Sequence, residues 1–335
     1  AEQRGALIMP YTKVISAKRR DGCWQVVTED AKTGDRSVFF AKCLVNAGGP
    51  WVSNLLLNVL RVNSSEKVRL VRGSHIVVPK MWSHEKSYFF QGDDGRIIFA
   101  IPYETDFTLI GTTEVDHLDL NEKPKCTELE KNYLLNFANQ YFDPELKVED
   151  IVWTYSGVRP LQDTSEDNAT SVTRDYSIKV NWEEGVPLIN VFGGKITTYR
   201  KLAESVMDEV GLFLPKIRGP WTDKAHLPGG DFAVDGLSKL ISDLLTAFPF
   251  LKAKWAMRLV KAYGNEAFEM LGSVRNEEEL GINFGATLTQ KEVEWLLKEE
   301  FATSAEDILW RRSKLGLRLS ELQVKTLQDW IDNQN

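Results

Sequence analysis

The sequence predicts a chain of mixed α/β and α+β architecture, and three observations along its length support that fold class. Two apolar segments, residues 43–47 and 187–192, are each followed by paired glycines and then by an apolar helical pattern. Between them, residues 68–180 follow mainly the alternation of β-strands. Beyond residue 221 the apolar side chains recur at helical spacing. We therefore expect an α/β part, a mixed sheet and a C-terminal helical part.

The first 66 residues predict a small antiparallel sheet that leads into a buried strand. Residues 24–28 alternate between apolar and polar side chains and lie between two glycine-containing turns. The buried strand at 43–47 runs into Gly48-Gly49, and an apolar helix is predicted from Trp51 onward. This segment is expected to belong to an open α/β sheet.

The middle of the chain predicts a β-rich domain covered by one helix. Strands are predicted at residues 68–78, 87–90, 96–101, 108–111, 151–158 and 177–180. A helix is predicted over residues 127–142, because Thr127 and Glu130 have the spacing of a capping box. A mixed sheet with one covering helix is a reasonable substrate domain.

The last third of the chain predicts a return to the first domain and then a helical domain. A strand at 187–192 and a helix at 196–214 belong with the first α/β segment. Pro215 and Pro220 mark a linker, after which apolar helix faces predominate. The predicted domains are therefore residues 1–66, 67–186, 187–214 and 221–335.

Composition narrows the function only in part. At 335 residues with 43% hydrophobic content, the chain is long enough for two or three domains around a large core. A net charge of −7 argues against nucleic acid as a general partner. The 3 cysteines lack metal-ligand spacing and indicate reduced thiols in a cytosolic setting, with no metal site. No run of about 18 apolar residues occurs, so no membrane-spanning helix is predicted.

The segment Gly193-Gly194-Lys195 is the most informative motif, because it joins an apolar strand to a helix. A helix N-terminus favours negative charge, and glycine lets a flat ring approach the backbone. Gly48-Gly49 repeats the arrangement after the first buried strand. Ligands of open α/β sheets lie outside the carboxyl ends of the strands, so two such corners can flank one flat, anionic cofactor. The alternative is an ordinary tight turn with a solvated lysine.

Six segments carry a more specific signal because they occur together and in order. They are Val45-Asn46-Ala47-Gly48-Gly49-Pro50-Trp51, Arg72-Gly73-Ser74-His75-Ile76-Val77-Val78-Pro79, Ile110-Gly111-Thr112-Thr113, Tyr155-Ser156-Gly157-Val158-Arg159-Pro160-Leu161, Thr173-Arg174-Asp175-Tyr176 and Phe192-Gly193-Gly194-Lys195-Ile196-Thr197-Thr198-Tyr199-Arg200. This ordered set closely resembles the FAD-dependent glycerol-3-phosphate dehydrogenases of the aerobic type. The resemblance extends from near Ala1 into the C-terminal helical region.

The resemblance implies an FAD-binding domain of which only a remnant is expected here. Members of that family open with a Gly-x-Gly-x-x-Gly turn that holds the FAD pyrophosphate, and no such motif occurs in this sequence. We therefore expect a C-terminal fragment that lacks the N-terminal dinucleotide-binding motif. FAD would be the cofactor of the full-length protein, and this chain alone is expected to hold little or none of it and to be inactive.

Two arginines are the candidate phosphate ligands and, by the resemblance, members of the active site. Guanidinium groups present planar forks of donors that match phosphate oxygens and stay charged. Arg159 follows an apolar strand end and precedes the stiffening Pro160, whereas Arg174 comes from a later segment. A surface salt bridge is the alternative for each, and the family match at both positions favours the ligand role.

His75 is the candidate base and a substrate-binding residue. It alone among the 4 histidines lies inside a strongly apolar strand, and alternation places it on the same face as Val77. Its ordinary pKa of roughly 6.5 suits removal of a hydroxyl proton. The alternative is a core histidine bonded to a carbonyl. His84, His117 and His226 lie near turns and are interpreted as solvated.

Lys195 and the two glycine corners are the candidate flavin contacts. Lys195 and the helix after it would place positive potential at the pyrimidine edge of the flavin, where negative charge develops. Thr197 could add a donor or simply cap the helix. The cofactor-binding candidates are Gly48, Gly49, Pro50, Trp51, Gly193, Gly194, Lys195, Ile196 and Thr197.

The activity implied by the resemblance is oxidation of sn-glycerol 3-phosphate to dihydroxyacetone phosphate by hydride transfer to FAD. Quinone is the implied electron acceptor, and the implied location is the cytoplasm, peripheral to the inner face of the cell membrane. The C-terminal helices could also support a homodimer. The alternatives are a related FAD-dependent oxidase of an amino or hydroxy acid, and a flavin-free module that binds phosphate or another protein.

Overall fold

The computed structural model describes residues 1–64, 66, 68–92, 94–162, 175–183, 185–214 and 219–334. Within these residues the chain forms two compact units, Ala1–Pro220 and Trp221–Asn335. The first unit contains three sheets and the second is mainly helical. The predicted fold class is confirmed.

The first sheet is a three-stranded antiparallel meander near the N-terminus. Its strands are β1 (Thr12–Arg20), β2 (Cys23–Asp30) and β3 (Arg36–Ala41). Alternation along β2 buries Trp24 and Val26 against residues of the third sheet. The indole Nε1 of Trp24 donates to the carbonyl of Pro187 at 2.9 Å, which fixes the meander to a buried strand far away in the sequence.

The second sheet is the largest and forms the β-rich middle of the chain. Its strands are β5 (Val68–Pro79), β6 (Tyr88–Gln91), β7 (Ile97–Tyr103), β8 (Phe107–Gly111), β9 (Val115–Asp116) and β10 (Trp153–Gln162). The order is β10-β5-β8-β7-β6, and β9 also pairs with β5. Helix α2 (Glu128–Ala138) covers one face and buries Leu134 and Phe137 against Ile76. Helix α2 does not cover the opposite face of this sheet.

Helix α2 begins where the sequence predicts but ends earlier. Thr127 caps it with the expected capping box to Glu130. The predicted end at residue 142 is wrong, because the Asn139 side chain bonds both backbone groups of Leu146 at 2.8 and 2.9 Å and turns the chain away.

The third sheet carries both glycine corners. It has the order β11-β12-β4, with β11 (Tyr176–Glu183), β12 (Val186–Gly193) and β4 (Leu44–Asn46). Strand β12 is buried almost throughout and runs parallel to β4, so their carboxyl ends lie at the same edge.

Helical segments follow each corner of the third sheet. The 3-10 turn Gly49–Trp51 leads into α1 (Val52–Asn54) and a π-helical segment, Leu55–Leu60. The 3-10 turn Ile196–Thr198 leads into α3 (Tyr199–Gly211).

Within the described residues, the second unit packs five α-helices and the π-helical segment Asp307–Arg312 around its own core. The α-helices are α4 (Leu237–Ala247), α5 (Ala253–Tyr263), α6 (Glu266–Leu271), α7 (Gln290–Glu299) and α8 (Glu321–Asp332). A small hairpin, β13 (Asn283–Gly285) with β14 (Leu288–Thr289), interrupts the helical pattern. Within the described ranges, no helix has the length and apolar character needed to cross a bilayer.

Candidate functional site

His75 lies on the face of the large sheet that α2 does not cover. Ile76 and Val78 of the same strand pack in the cluster that faces α2. Side chains alternate along a strand, so His75 points to the other face. In the sheet it pairs with Tyr155 of β10 and with Gly111 of β8. The predicted orientation of His75 therefore agrees with the register of the sheet.

The imidazole of His75 occupies the space that a side chain at residue 111 would need. A Cβ at Gly111 would lie 2.1 Å from the Cδ2 of His75. On its other side the ring stacks on Tyr155, with centroids 4.8 Å apart and planes 6° from parallel. The buried Nδ1 has no hydrogen-bond partner among the described residues. The core-histidine alternative, a ring bonded to a carbonyl through this nitrogen, is thus not what the described residues show.

Burial and the nearby Arg159 cation lower the pKa of His75 to about 4. The imidazole is therefore neutral at physiological pH, which is the protonation state that a base requires. The ordinary value of roughly 6.5 used in the sequence argument does not hold in this setting.

Arg159 reaches the same face from β10. Its Nη2 donates to the Oγ1 of Thr112 at 3.1 Å. A Cβ at Gly73 would lie 2.6 Å from Nη2 and 2.8 Å from Nη1, so the guanidinium lies directly over the backbone of Gly73. Arg159 and His75 thus share one sheet face, each above a glycine. Arg174, the other predicted phosphate ligand, lies outside the described residues.

Two tyrosines on the same sheet are functional candidates that the sequence argument missed. Burial raises the pKa of Tyr155, and burial together with Glu104 and Tyr155 raises the pKa of Tyr103 to about 12. Both hydroxyls therefore stay protonated and can donate hydrogen bonds. Their positions on β10 and β7 were the available signal, but alternation alone does not single them out.

The first glycine corner sits at the end of β4. Gly49 adopts a φ of +54°, and Pro50 fixes the start of the 3-10 turn. Trp51 is 52% exposed, so its indole remains available. This turn packs against β10 and β12, which places it beside the strand that carries Arg159.

Asn46 holds this corner in place from below. Its Oδ1 accepts from the N–H of Gly48 at 3.3 Å, and its Nδ2 donates to the carbonyl of Val52 at 3.1 Å. The same Nδ2 donates to the Oδ1 of Asn190 on β12 at 3.1 Å. The two buried amides therefore link the strands that lead to the two corners. A polar residue at the end of an apolar strand, two positions before Gly48, was the sequence signal for this role.

The second corner sits at the end of β12. Gly193 and Gly194 adopt φ values of +70° and +98°. Lys195 is the N-cap of the 3-10 turn and is exposed, as is Thr197, and Ile196 is 88% exposed. The Oγ1 of neighbouring Thr198 donates to the Lys195 carbonyl at 3.0 Å. These side chains lie at a different sheet from His75 and Arg159.

The chemistry of the two corners fits a flat, anionic ring system. Both stand at the carboxyl ends of adjacent parallel strands, and the Cβ position of Gly49 is open. A cation and a helical N-terminus are present at the second corner. The residues present therefore suit the flavin part of FAD.

The interpretation of His117 as a solvated residue is wrong. His117 is 4% exposed. Its backbone N–H donates to the backbone carbonyl of Leu70, which holds the residue against β5. His84 and His226 are exposed, as expected.

Comparison with known families gives two matches along the chain. Residues 1–199 match the family described as FAD dependent oxidoreductase. Residues 220–332 match the family described as the C-terminal domain of alpha-glycerophosphate oxidase. The boundary between these matches falls beside the boundary between the two compact units.

Curated relatives align with essentially the whole chain. A D-erythritol 1-phosphate dehydrogenase of Brucella abortus is 41% identical over 335 residues, covering 100% of this chain and 67% of the relative. A glycerol-3-phosphate dehydrogenase of Pseudomonas aeruginosa is 40% identical over 336 residues, covering 100% and 65%. The aerobic glycerol-3-phosphate dehydrogenase of Escherichia coli is 38% identical over 331 residues, covering 98% and 66%. The chain thus spans about two thirds of the length of these relatives.

A solved structure has the same fold. The glycerol-3-phosphate dehydrogenase of Bacillus halodurans, complexed with FAD, superposes with a TM-score of 0.77 at 26% identity. The superposition covers 99% of this chain and 70% of that one.

Proposed function

This chain belongs to the FAD-dependent oxidoreductase family, and from that premise we propose that its protein oxidises sn-glycerol 3-phosphate to dihydroxyacetone phosphate. The proposal concerns the activity of the whole protein, since the chain spans about two thirds of its curated relatives. That the chain is a fragment lacking the dinucleotide-binding motif stays a prediction.

The observation that carries the proposal is the convergence of His75 and Arg159 on one face of the large sheet. Arg159 provides a fork of donors for the phosphate, and His75 provides a neutral imidazole for the hydroxyl proton. Arg174 is proposed as the second phosphate ligand.

The substrate itself would prepare the base. The Arg159 cation is one of the two causes that depress the pKa of His75. A phosphate dianion bound to Arg159 offsets that cation, so the pKa of His75 rises when substrate is bound. Proton removal is thereby easier in the loaded site, although burial, the larger of the two causes, remains there.

The two glycine corners would hold the flavin end of FAD. When bound, FAD accepts the hydride that leaves the substrate carbon. Gly48, Gly49 and Pro50 would form one edge of that site, and Gly193 and Gly194 the other. Trp51, Ile196 and Thr197 would border it. Lys195 would supply positive charge at the flavin.

D-Erythritol 1-phosphate is a second candidate substrate, because a dehydrogenase of that compound is 41% identical over the chain. It shares the terminal phosphate with glycerol 3-phosphate and is one carbon longer. The same arginine and imidazole would serve both compounds.

The deciding experiment mixes the full-length, FAD-loaded protein with each polyol phosphate without oxygen and follows loss of the oxidised flavin absorbance. Bleaching with glycerol 3-phosphate supports the proposal, and faster bleaching with erythritol 1-phosphate reassigns the substrate. Bleaching only with an amino or hydroxy acid would support the oxidase alternative. Protein that binds no flavin but binds phosphate would support the flavin-free alternative.

Arg159→Gln separates phosphate binding from flavin binding. We expect the KM for the polyol phosphate to rise on the order of 10- to 100-fold while FAD content is unchanged, because a charge-assisted bond is lost. Arg20→Gln, at an exposed end of β1, is the matched control. An unchanged KM would remove Arg159 from the substrate site.

His75→Gln tests the base. We expect flavin reduction to slow by about 10²- to 10⁴-fold. In the substrate-free parent, the His75 imidazole should titrate near its pKa of about 4, and NMR of the histidine ring protons measures this without interference from ionisation of the substrate phosphate. A titration of His75 centred near pH 6.5 or above would contradict the assigned environment.

Three further features are proposed on the resemblance alone. They are quinone as electron acceptor, peripheral contact with the inner face of the membrane, and a homodimer. Quinone-dependent reoxidation, co-flotation with anionic vesicles and sedimentation of the full-length protein would test them in turn.

A further inference from the structure

Glu130 is a carboxylate buried behind the site face. It lies in the first turn of α2 and is 4% exposed. One oxygen, Oε1, accepts from Ser74 Oγ at 2.8 Å and from Thr113 Oγ1 at 2.7 Å. The other, Oε2, accepts from Thr127 N and Oγ1 at 2.9 and 2.8 Å and from Arg72 Nη2 at 3.0 Å. Five donors thus converge on one side chain.

Ser74 and Thr113, the two residues that bond Oε1 of Glu130, are chain neighbours of the site residues. Ser74 lies between Gly73, which supports Arg159, and His75. Thr113 follows Thr112, which accepts a hydrogen bond from Arg159.

The same cluster reaches the strand that carries the stacking tyrosine. Ser74 Oγ also contacts Ser156 Oγ at 2.8 Å, and Ser156 follows Tyr155. The N–H of Ser74 donates to Thr113 Oγ1 at 2.9 Å, which closes the network between β5 and the segment after β8. One carboxylate therefore organises the reverse side of three segments.

Because side chains alternate along a strand, contacts on one face of the sheet influence the side chains on the opposite face. When side chains on one face of a strand are fixed, their neighbours are turned to the other face. A buried carboxylate that accepts several hydrogen bonds is held in one orientation, and its loss leaves buried donors unpaired. Hydrogen bonds that fix Ser74 and Ser156 on the face toward α2 therefore also fix the orientation of His75 and Tyr155 on the opposite face.

We propose that Glu130 is a positioning residue that holds His75, Tyr155 and Arg159 in register for polyol phosphate oxidation. This role is additional to its capping of α2, and it rests on the proposed function. Burial would raise the pKa of Glu130, but hydrogen bonds from Thr127, Thr113 and Ser74 lower it to about 2. Glu130 is accordingly ionised at neutral pH and acts only as an acceptor.

The variant that tests this is Glu130→Gln, which keeps the shape but replaces an acceptor oxygen with a donor NH₂. Glu128→Gln is the matched control, since Glu128 is exposed in the same helical turn and its Oε1 accepts a hydrogen bond from the Nζ of Lys131 on the surface of α2. In full-length, FAD-loaded protein we expect flavin reduction per bound flavin to fall on the order of 10- to 100-fold for Glu130→Gln. Glu128→Gln should equal the parent.

A second readout does not depend on turnover. The sequence has 4 histidines, so the imidazole signals can be assigned by NMR with His75→Gln as reference. Among the described residues, Arg159 and Tyr155 of β10 are the charged and titratable groups that face His75, while Gly111 faces it from β8. In Glu130→Gln the loosened site admits water, so we expect His75 to titrate at least half a pH unit higher than in the parent or in Glu128→Gln.

The outcomes distinguish a positioning role of Glu130 from a role in fold stability alone, and they also test the proposed function separately. A lower melting temperature with unchanged His75 titration and unchanged rate per flavin would mean that Glu130 only stabilises the fold, and would overturn the proposal. If Glu130→Gln fails to fold, Ser74→Ala removes one bond of the network, and an unchanged His75 titration there overturns the proposal instead. If the parent oxidises neither polyol phosphate, the proposed function fails, while the NMR comparison still decides whether Glu130 orients His75.

Discussion

The glycines of the large sheet and those of the two corners serve different physical purposes. On the sheet, Gly73 and Gly111 are ordinary strand residues whose missing side chains leave room for Arg159 and His75. At the corners, Gly49 and Gly193 are needed because the backbone itself turns through positive φ.

This difference shows which kind of glycine a sequence reveals. A corner glycine can be recognised in the sequence, because it occurs in a pair between a predicted strand and a predicted helix. The role of a sheet glycine depends on a side chain of another strand, so it can be recognised only once the strand register is known. Substitution by alanine should therefore act on the chemistry in the sheet and on folding or cofactor retention at the corners.

Gly111→Ala should have the largest effect. The added Cβ would lie 2.1 Å from the His75 ring, so the imidazole must move by about an ångström, which costs on the order of 100-fold in rate. Single-turnover flavin reduction measures this. If the rate survives, the position of His75 above Gly111 is not the one used in catalysis.

Gly193→Ala should come next, as a loss of stability of about 2 kcal/mol. Its φ of +70° is unfavourable for alanine, and the Cβ would lie 2.7 Å from the Asp175 carbonyl. Urea denaturation of the FAD-loaded protein checks the stability, and released flavin reports the corner. Full stability with altered substrate KM would reverse the division between the two regions.

Gly73→Ala should raise the KM for polyol phosphate about tenfold. The new Cβ would lie 2.6 Å from the Nη2 of Arg159, so the guanidinium has to move away from its present position. Gly157→Ala is the matched control. Gly157 pairs with Gly73 in the register of β5 and β10, yet a Cβ there has no atom within 4 Å. Equal effects from both variants would mean that any added methyl disturbs the face.

Gly49→Ala should have the smallest effect, about 1 kcal/mol of stability. Its φ of +54° costs an alanine roughly that much, but the space around the Cβ is open. Thermal unfolding measures the change. A loss as large as that of Gly193→Ala would show that backbone strain, rather than steric contact, dominates at both corners.

Local patterns predicted the elements but not their mutual placement. Alternation placed His75 and Val77 on one face, and the capping box located the start of α2. The approach of Arg159 to His75 depends on the pairing of β5 with β10, which joins residues some 80 positions apart and leaves no local trace.

Other features escaped for related reasons. Glu130 was recognised as a capping residue, but its contacts with Ser74 and Thr113 come from the packing of α2 on the sheet. His117 was misjudged because its burial depends on a backbone bond to β5. In each case the deciding contact joins residues that are distant in the sequence, so a local pattern could not predict it.

The amide pair of Asn46 and Asn190 has one more consequence. Since a single Nδ2 bridges the strands that lead to the two corners, a disturbance at either rim is transmitted to the other through one shared proton donor. Replacing Asn46 with Asp would set a carboxylate oxygen against the Val52 carbonyl, which can only accept, so even an isosteric exchange would weaken the support of the first corner.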